Sequence, residues 1–70
     1  MKHAIITTAG QIWKLLREKD RVGVDSLPRA LKEKSVVVYQ ALGWLAREDK
    51  IEYHTTGGKA TVSLTPHERR

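Results

Sequence analysis

The feature that most constrains the fold is an alternating run over residues 50–64 with a double glycine at its centre. Apolar and polar side chains alternate on both sides of Gly57-Gly58, a pattern typical of two half-buried antiparallel strands. Glycine adopts positive φ readily, so the pair suits the two-residue turn of a hairpin. Such a turn places Tyr53 opposite Val62 and Ile51 opposite Leu64, all on the expected core face. The sequence therefore predicts a β-hairpin in this region.

The segment before the hairpin has the periodicity of one amphipathic helix that leads directly into the strand at Ile51. Val38, Leu42 and Leu45 follow the spacing of a single apolar stripe. Ser35 is the predicted N-cap, because its hydroxyl suits an unpaired amide of the first turn. The opposite face is predicted to carry little charge. Its residues, with those on its two flanks, are Val36, Tyr39, Gln40, Gly43, Trp44 and Arg47.

A first helix is predicted over about residues 9–19. Thr8 and Gln11 have the spacing of a capping box, and Ile12, Trp13 and Leu16 follow on one face. Trp13 is expected in the core. Residues 1–7 precede the predicted helix, and their pattern leaves three alternatives open: a frayed tail, an additional strand, or an arm that packs on a second subunit.

Between these helices, residues 22–24 are long enough only for a short strand, and a second helix is predicted over about residues 25–32. Asp25 or Ser26 is the expected cap of this helix. Pro28 is compatible with its first turn, where a missing N–H removes no intrahelical hydrogen bond.

The predicted order, α1-β1-α2-α3-β2-β3, is that of an α+β winged helix with a three-helix core and a small antiparallel sheet. Seventy residues allow a single small domain. We divide the chain into an N-terminal arm (1–7), a winged helix-turn-helix domain (8–65) and a C-terminal tail (66–70), with the tail from His67 onward expected to be loose.

The charge is positive and unevenly distributed. The chain has 13 Lys and Arg against 8 Asp and Glu, a net charge of +5. Residues 1–35 hold eight basic and four acidic residues, a net of +4, and residues 36–70 hold five and four, a net of +1. This balance favours a polyanionic partner. The chain has no cysteine and no apolar run of membrane-spanning length, so we expect a cytoplasmic protein without membrane association.

Two stretches carry a resemblance to a known family: Ala9-Gly-Gln-Ile-Trp-Lys-Leu-Leu16 and Val38-Tyr-Gln-Ala-Leu-Gly-Trp-Leu-Ala-Arg-Glu-Asp-Lys-Ile51. They resemble very short stand-alone winged helix proteins of bacteria, a family classified as a domain of unknown function. The resemblance covers residues 8–65 and implies a winged helix fold, DNA binding or regulation, and a homodimer. Asp49 departs from the pattern, because winged helix sequences usually place glycine there to end the helix in a left-handed conformation.

DNA binding through the third helix and the hairpin is the first functional hypothesis. In a helix-turn-helix, the N-terminal part of the recognition helix faces base edges in the major groove. Gln40 suits adenine, Val36 or Val37 a thymine methyl group, and the lysines phosphate. The candidate DNA-binding residues are Lys32, Lys34, Ser35, Val36, Tyr39, Gln40 and Lys59.

A protein-interaction surface on the same helix is the alternative, either with another protein or in a homodimer through the third helix or the N-terminal arm. Glycine inside a helix costs about 1 kcal/mol relative to alanine, so Gly43 suits a close approach of another backbone. Trp44 is a side chain typical of interface hot spots, unless it leans over the first helix and extends the core. The candidate interface residues are Val36, Val37, Gly43, Trp44 and Arg47.

An enzyme is not expected. His3, His54 and His67 are scattered without metal-ligand spacing, and His54 is expected to be solvated on the outer face of its strand. Gly57-Gly58 lacks the helix and lysine that follow a phosphate-binding loop. We therefore predict no catalytic, cofactor-binding or metal-binding residues, no cofactor and no small-molecule substrate.

Overall fold

The computed structural model describes the backbone of residues 2–68 and the side chains of residues 3–68. Met1 of the predicted arm and Arg69-Arg70 of the predicted tail lie outside the described residues. The elements, in order, are α1 (Lys2–Lys19), β1 (Arg21–Gly23), a 3₁₀ turn (Val24–Ser26), α2 (Leu27–Leu31), α3 (Ser35–Arg47), β2 (Ile51–Thr56) and β3 (Lys59–Leu64). This order confirms the predicted α+β winged helix.

The three strands form one antiparallel sheet in the order β1-β3-β2. The predicted hairpin register is confirmed, since Tyr53 lies opposite Val62 and Ile51 opposite Leu64. Gly57 and Gly58 have φ values of 57° and 81°. Two consecutive positive φ values define a type I′ turn, whose twist matches that of the flanking strands.

The core lies between the three helices and the inner face of the sheet. Its fully buried large side chains come from every helix and from β3: Ile12, Leu16, Leu27, Val38, Leu45, Val62 and Leu64. The predicted inner stripe of α3 is confirmed, because Val38, Ala41, Leu42 and Leu45 are all buried. Trp13 was predicted as a core residue and is half-buried at the edge of this cluster.

The first helix begins at Lys2, about two turns earlier than predicted. The capping box at Thr8 is wrong, because Thr8 lies inside the helix with its side chain 2% exposed. The β-branched run from Ile5 to Thr8 has modest helix propensity, which tertiary packing overrides here. Ile5 packs against the core, and Ala9 is buried within it. Residues 2–7, predicted as an arm, are therefore helical and continuous with the rest of α1.

The predicted N-cap of α3 is displaced by one residue. Lys34 is the N-cap, and Ser35 is the first helical residue. The Lys34 carbonyl accepts from the N–H groups of Val37 and Val38 at 3.1 and 3.0 Å, and the Glu33 carboxylate accepts from the Lys34 N–H at 2.8 Å. The helix therefore begins one residue later than predicted, and its N-cap residue makes no side-chain capping hydrogen bond.

The predicted loose tail is wrong at Glu68, which packs against α1. Its carboxylate oxygen Oε1 accepts from the Trp13 indole N–H at 2.9 Å and lies 3.7 Å from Lys50 Nζ. Its backbone N–H donates to the Thr65 carbonyl at 2.9 Å, closing a turn. The hydrogen bond between Trp13 and Glu68 joins residues 55 positions apart. It holds the end of the described chain beside α1 and the start of β2.

Asp49 ends α3 in the left-handed conformation that its position in the sequence predicts, with φ of 58°. The Lys50 N–H donates to the Leu45 carbonyl and the Asp49 N–H to the Ala46 carbonyl, both at 3.0 Å, which is the Schellman pattern. Asp20 and Lys32, after α1 and α2, also have positive φ. Each helix thus ends on a non-glycine residue in a conformation that favours glycine.

Asp49→Gly is expected to raise the free energy of unfolding by about 0.5–1 kcal/mol, because glycine removes the steric cost of positive φ. The Thr65 hydroxyl donates to the Asp49 backbone carbonyl at 3.1 Å, so this contact survives the substitution. Urea unfolding of the variant checks the result. Glu48→Gly is the matched control and is expected to destabilise, because Glu48 has φ of −84°. An unchanged or lower stability of Asp49→Gly would contradict the argument.

Candidate nucleic-acid interface

The N-terminal half of α3 presents its outer face to solvent. Val36 is 52% exposed and Tyr39 46%, and Gln40 is exposed beside them. These side chains lie opposite Val38 and Ala41, which are fully buried. An exposed valine and tyrosine on one helical face form a surface with both apolar and hydrogen-bonding capacity.

The turn before α3 holds two lysines in a defined backbone geometry. Lys32 has φ of 54°, and its N–H donates to the Arg29 carbonyl at 3.3 Å. The Glu33 N–H donates to the Pro28 carbonyl at 3.0 Å, and the Glu33 carboxylate binds the Lys34 N–H. The side chains of Lys32 and Lys34 are exposed. The only acidic residue of this turn is thus held by the backbone, and the two ammonium groups face solvent.

The hairpin supplies one cation at its tip and one aromatic ring further along the wing. Lys59 follows the glycine turn and is exposed. Tyr53 is 50% exposed, although its partner Val62 is fully buried, because β2 forms an edge of the sheet. Partial burial raises the pKa of the Tyr53 hydroxyl above its usual value. Alternation alone predicted a core position and did not indicate this exposure.

Val37 was wrongly predicted as a surface residue. It is 6% exposed and lies in the first turn of α3 with its neighbour Val38, which is fully buried. A step of about 100° along the helix separates it from the exposed Val36. Val37 is therefore unavailable both to a thymine methyl group and to a protein partner, whereas Val36 is available to either.

The other residues proposed for a protein interface lie toward the C-terminal half of α3. Gly43 and Arg47 are exposed, and no heavy atom lies within 4 Å of a Cβ built on Gly43. Trp44 is 38% exposed and leans toward α1, where it lines a groove with Gly10 and Trp13. Trp44 therefore lies between the two predicted alternatives, since it is partly exposed and also lines a groove with residues of α1.

The outer face of the sheet contains a side-chain contact that the sequence did not predict. His54 was expected to be solvated, but it is half-buried, with its Nε2 2.8 Å from the Ser63 hydroxyl oxygen on β3. Within residues 3–68, no group of three or more His, Asp or Glu side chains is placed to hold a metal ion. In the same part of the chain, no helix is long and apolar enough to cross a bilayer.

The helix-turn-helix, the hairpin and the sheet order together define a winged helix domain. The chain belongs to the family of winged helix-turn-helix domains named DUF2582, whose model matches residues 1–64. No curated protein matches the sequence significantly.

Several solved structures share the fold. The NMR structure of BT2368 from Bacteroides thetaiotaomicron is 29% identical, with a TM-score of 0.81 over 94% of this chain and 80% of its own. ZitR from Lactococcus lactis, a mutant in its apo form, is 21% identical with a TM-score of 0.83; the match covers 97% of this chain and 53% of ZitR, so this chain spans about half of that protein. The transcriptional regulator HlyU from Vibrio vulnificus is 16% identical with a TM-score of 0.69, over 97% of this chain and 77% of its own.

Proposed function

We propose that this protein is a non-enzymatic DNA-binding module that contacts duplex DNA through the N-terminal half of α3, the turn before it and the tip of the wing. The observation that carries the proposal is the exposed surface formed by Val36, Tyr39 and Gln40 directly after the two exposed lysines of the turn. In helix-turn-helix proteins, this part of the recognition helix enters the major groove.

The charge of the proposed surface supports an anionic partner. No residue of α3 is acidic, and the carboxylate of Glu33 in the preceding turn is bound to a backbone N–H. No carboxylate of α3 therefore competes with DNA phosphates for Lys32, Lys34 and Lys59. The transcriptional regulator HlyU has the same fold, and we extend a regulatory role to this chain by that analogy alone.

Each side chain has a stated task in the proposed complex. The three lysines hold phosphates and set the orientation of α3, contributing affinity without sequence information. Gln40 has the amide that pairs bidentately with adenine, and Val36 has the methyl groups that pack on thymine. Tyr39 offers a hydroxyl to a phosphate or a base edge. Because none of these residues is arginine, the bidentate guanidinium contact to guanine O6 and N7 is missing from this face.

A salt series with a fluorescently labelled duplex of mixed sequence tests the proposal. Three phosphate contacts predict that the logarithm of the binding constant falls with the logarithm of salt concentration with a slope of roughly −2.7. Fluorescence anisotropy measures this slope directly. Absence of binding at low salt, or binding that does not weaken as salt is added, would overturn the proposal.

A further inference from the structure

The two edges of the sheet differ in how they are protected from pairing with another strand. The order β1-β3-β2 leaves β1, of three residues, at one edge and β2, of six, at the other. Natural sheets protect an edge with a short strand, lysine, proline or a bulge. β1 is short and begins with Arg21, whereas β2 contains no lysine or proline and pairs with β3 without a bulge. The β2 edge therefore lacks these protections.

The unpaired backbone groups of β2 belong to alternate residues. In a hairpin with a two-residue turn, the residues that flank the turn form a hydrogen-bonded pair, and such pairs recur at every second position. Thr56 and Lys59 flank the turn, so the even-numbered residues of β2 direct their N–H and C=O groups to β3. The odd-numbered residues direct theirs to the open edge: Ile51, Tyr53 and Thr55. Within residues 2–68, no hydrogen bond outside the sheet uses these groups.

A second copy of the chain can pair with this edge in antiparallel orientation about a two-fold axis, and three centres are available. An axis through Tyr53 pairs Ile51 with Thr55 of the second copy and Tyr53 with its own counterpart, which gives three hydrogen-bonded residue pairs. An axis through Glu52 or His54 gives two such pairs within the strand. The backbone therefore favours the register centred on Tyr53.

The side chains of the outer face favour the same register. With the axis through Tyr53, Glu52 lies opposite His54 of the second copy, and symmetry repeats this pair. An axis through Glu52 opposes two carboxylates, and an axis through His54 opposes two imidazoles. In the described part of the chain, Glu52 has no hydrogen bond or ion pair. His54 uses Nε2 for its contact with Ser63, so Nδ1 is available to the carboxylate.

Tyr53 supplies the apolar contact of this register. Its side chain lies on the core face of the sheet and is 50% exposed, although its neighbour Val62 on β3 is fully buried. Across the two-fold axis, each ring lies beside the ring of the second copy. Aromatic cross-strand pairs stabilise a sheet. Pairing therefore covers the largest exposed apolar side chain of the sheet.

We infer that two copies of this chain associate through their β2 edges, centred on Tyr53, into one continuous antiparallel sheet. A second copy suits the edge because hydrogen bonds, charges and aromatic rings are self-complementary in a single register. The paired segment, residues 51–55, ends before the glycine turn, so Lys59 at the tip of the wing lies outside it. The inference does not depend on DNA binding and is tested in the absence of DNA.

Sedimentation equilibrium from micromolar to millimolar concentration tests the association. The short paired segment predicts a weak, reversible dimer. Tyr53→Lys is expected to weaken it at least about tenfold, because two ammonium groups meet at the axis and an aromatic pair is lost. Tyr39→Lys, the same change at an exposed tyrosine of α3, is the matched control and is expected to retain the dimer. Thermal unfolding verifies that both variants fold.

Cysteine crosslinking tests the register without Tyr53→Lys, and the chain contains no cysteine of its own. Glu52→Cys and His54→Cys are mixed in equal amounts and oxidised mildly. In the proposed register, these two positions face each other with Cα atoms about 4.5 Å apart, within the range of a disulfide. Two copies of the same variant place their cysteines diagonally, at about 7–8 Å. Mass spectrometry is therefore expected to show the mixed disulfide as the main product.

Four results would overturn the inference. A monomer at every concentration would leave the β2 edge to a strand of a different protein. A dimer that persists in Tyr53→Lys, or that Tyr39→Lys weakens equally, would assign the association to another surface. Disulfides mainly between identical variants would move the axis to Glu52 or His54. Disulfides in statistical proportion would show that the strands meet only by random collision.

Discussion

Val37→Asp is expected to lower the free energy of unfolding by about 3 kcal/mol or more, because it places a short charged side chain in a buried apolar site. Val37 is 6% exposed in the first turn of α3, beside the fully buried Val38. A chain of this length has a total stability of only about 4–10 kcal/mol, so the variant is expected to be largely unfolded near physiological temperature. Urea unfolding followed by circular dichroism measures the change.

Val36→Asp is the matched control for that substitution. Val36 precedes Val37 in the first turn of α3 and is 52% exposed. Both positions offer a carboxylate the same favourable helix dipole, so the difference between the variants reports burial alone. Val36→Asp is expected to change stability by no more than about 0.5 kcal/mol. Similar stabilities of the two variants would contradict the orientation of α3.

Replacing Lys32 and Lys34 together by glutamate is expected to weaken duplex binding by roughly 100-fold at about 50 mM salt. Each neutralised phosphate contributes roughly tenfold at that concentration through the release of a counterion, and the new carboxylates add repulsion. Both lysine side chains are exposed, so the substitution is expected to leave the fold intact. Fluorescence anisotropy measures the affinity, and the magnitude of the salt slope is expected to fall by about 1.8.

Lys19→Glu with Arg21→Glu makes the same change in net charge away from the proposed surface. Lys19 ends α1 and Arg21 begins β1, and both are exposed. Because salt screens charges that lie more than about a Debye length from the DNA, this double variant is expected to weaken duplex binding only a few-fold. Equal losses in the two double variants would mean that net charge, and not the turn before α3, determines binding.

The parts of the fold that depend on local patterns follow directly from the sequence. The inner stripe of α3 is set by 3.6-residue periodicity, and the hairpin register by alternation around Gly57-Gly58. For the stripe and the hairpin, neighbouring residues determine the result, so a single sequence contains enough information. The left-handed end of α3 at Asp49 was expected from the family resemblance, because winged helix sequences usually place glycine there.

The predictions that were wrong concern features that depend on contacts between distant segments of the chain. The start of α1 at Lys2 depends on Ile5 packing against the core, which outweighs the modest propensity of the β-branched residues around it. The position of Glu68 depends on Trp13, 55 residues earlier in the chain. No local pattern contains either contact.

The candidate site divides in the same way. The exposure of Val36, Tyr39 and Gln40 follows from helical phase, but the burial of Val37 depends on how α3 rests on its neighbours. The groove beside Trp44 is formed only when α1 and α3 come together, so periodicity indicates its residues singly and not as one surface. The spacing of Ile6, Gly10 and Trp13, at i, i+4 and i+7, could have indicated that they share one face of α1. The predicted helix began at residue 9, however, so Ile6 was placed outside it.

The most direct test of the DNA-binding account is a ¹H–¹⁵N NMR titration of the protein with duplex DNA of mixed sequence at low salt. The account predicts the largest amide shifts at Ser35, Val36, Tyr39 and Gln40, together with Lys59 at the tip of the wing, and little change at Gly10 in the groove. Absence of shifts throughout the titration, or shifts centred on the groove between α1 and α3, would contradict it.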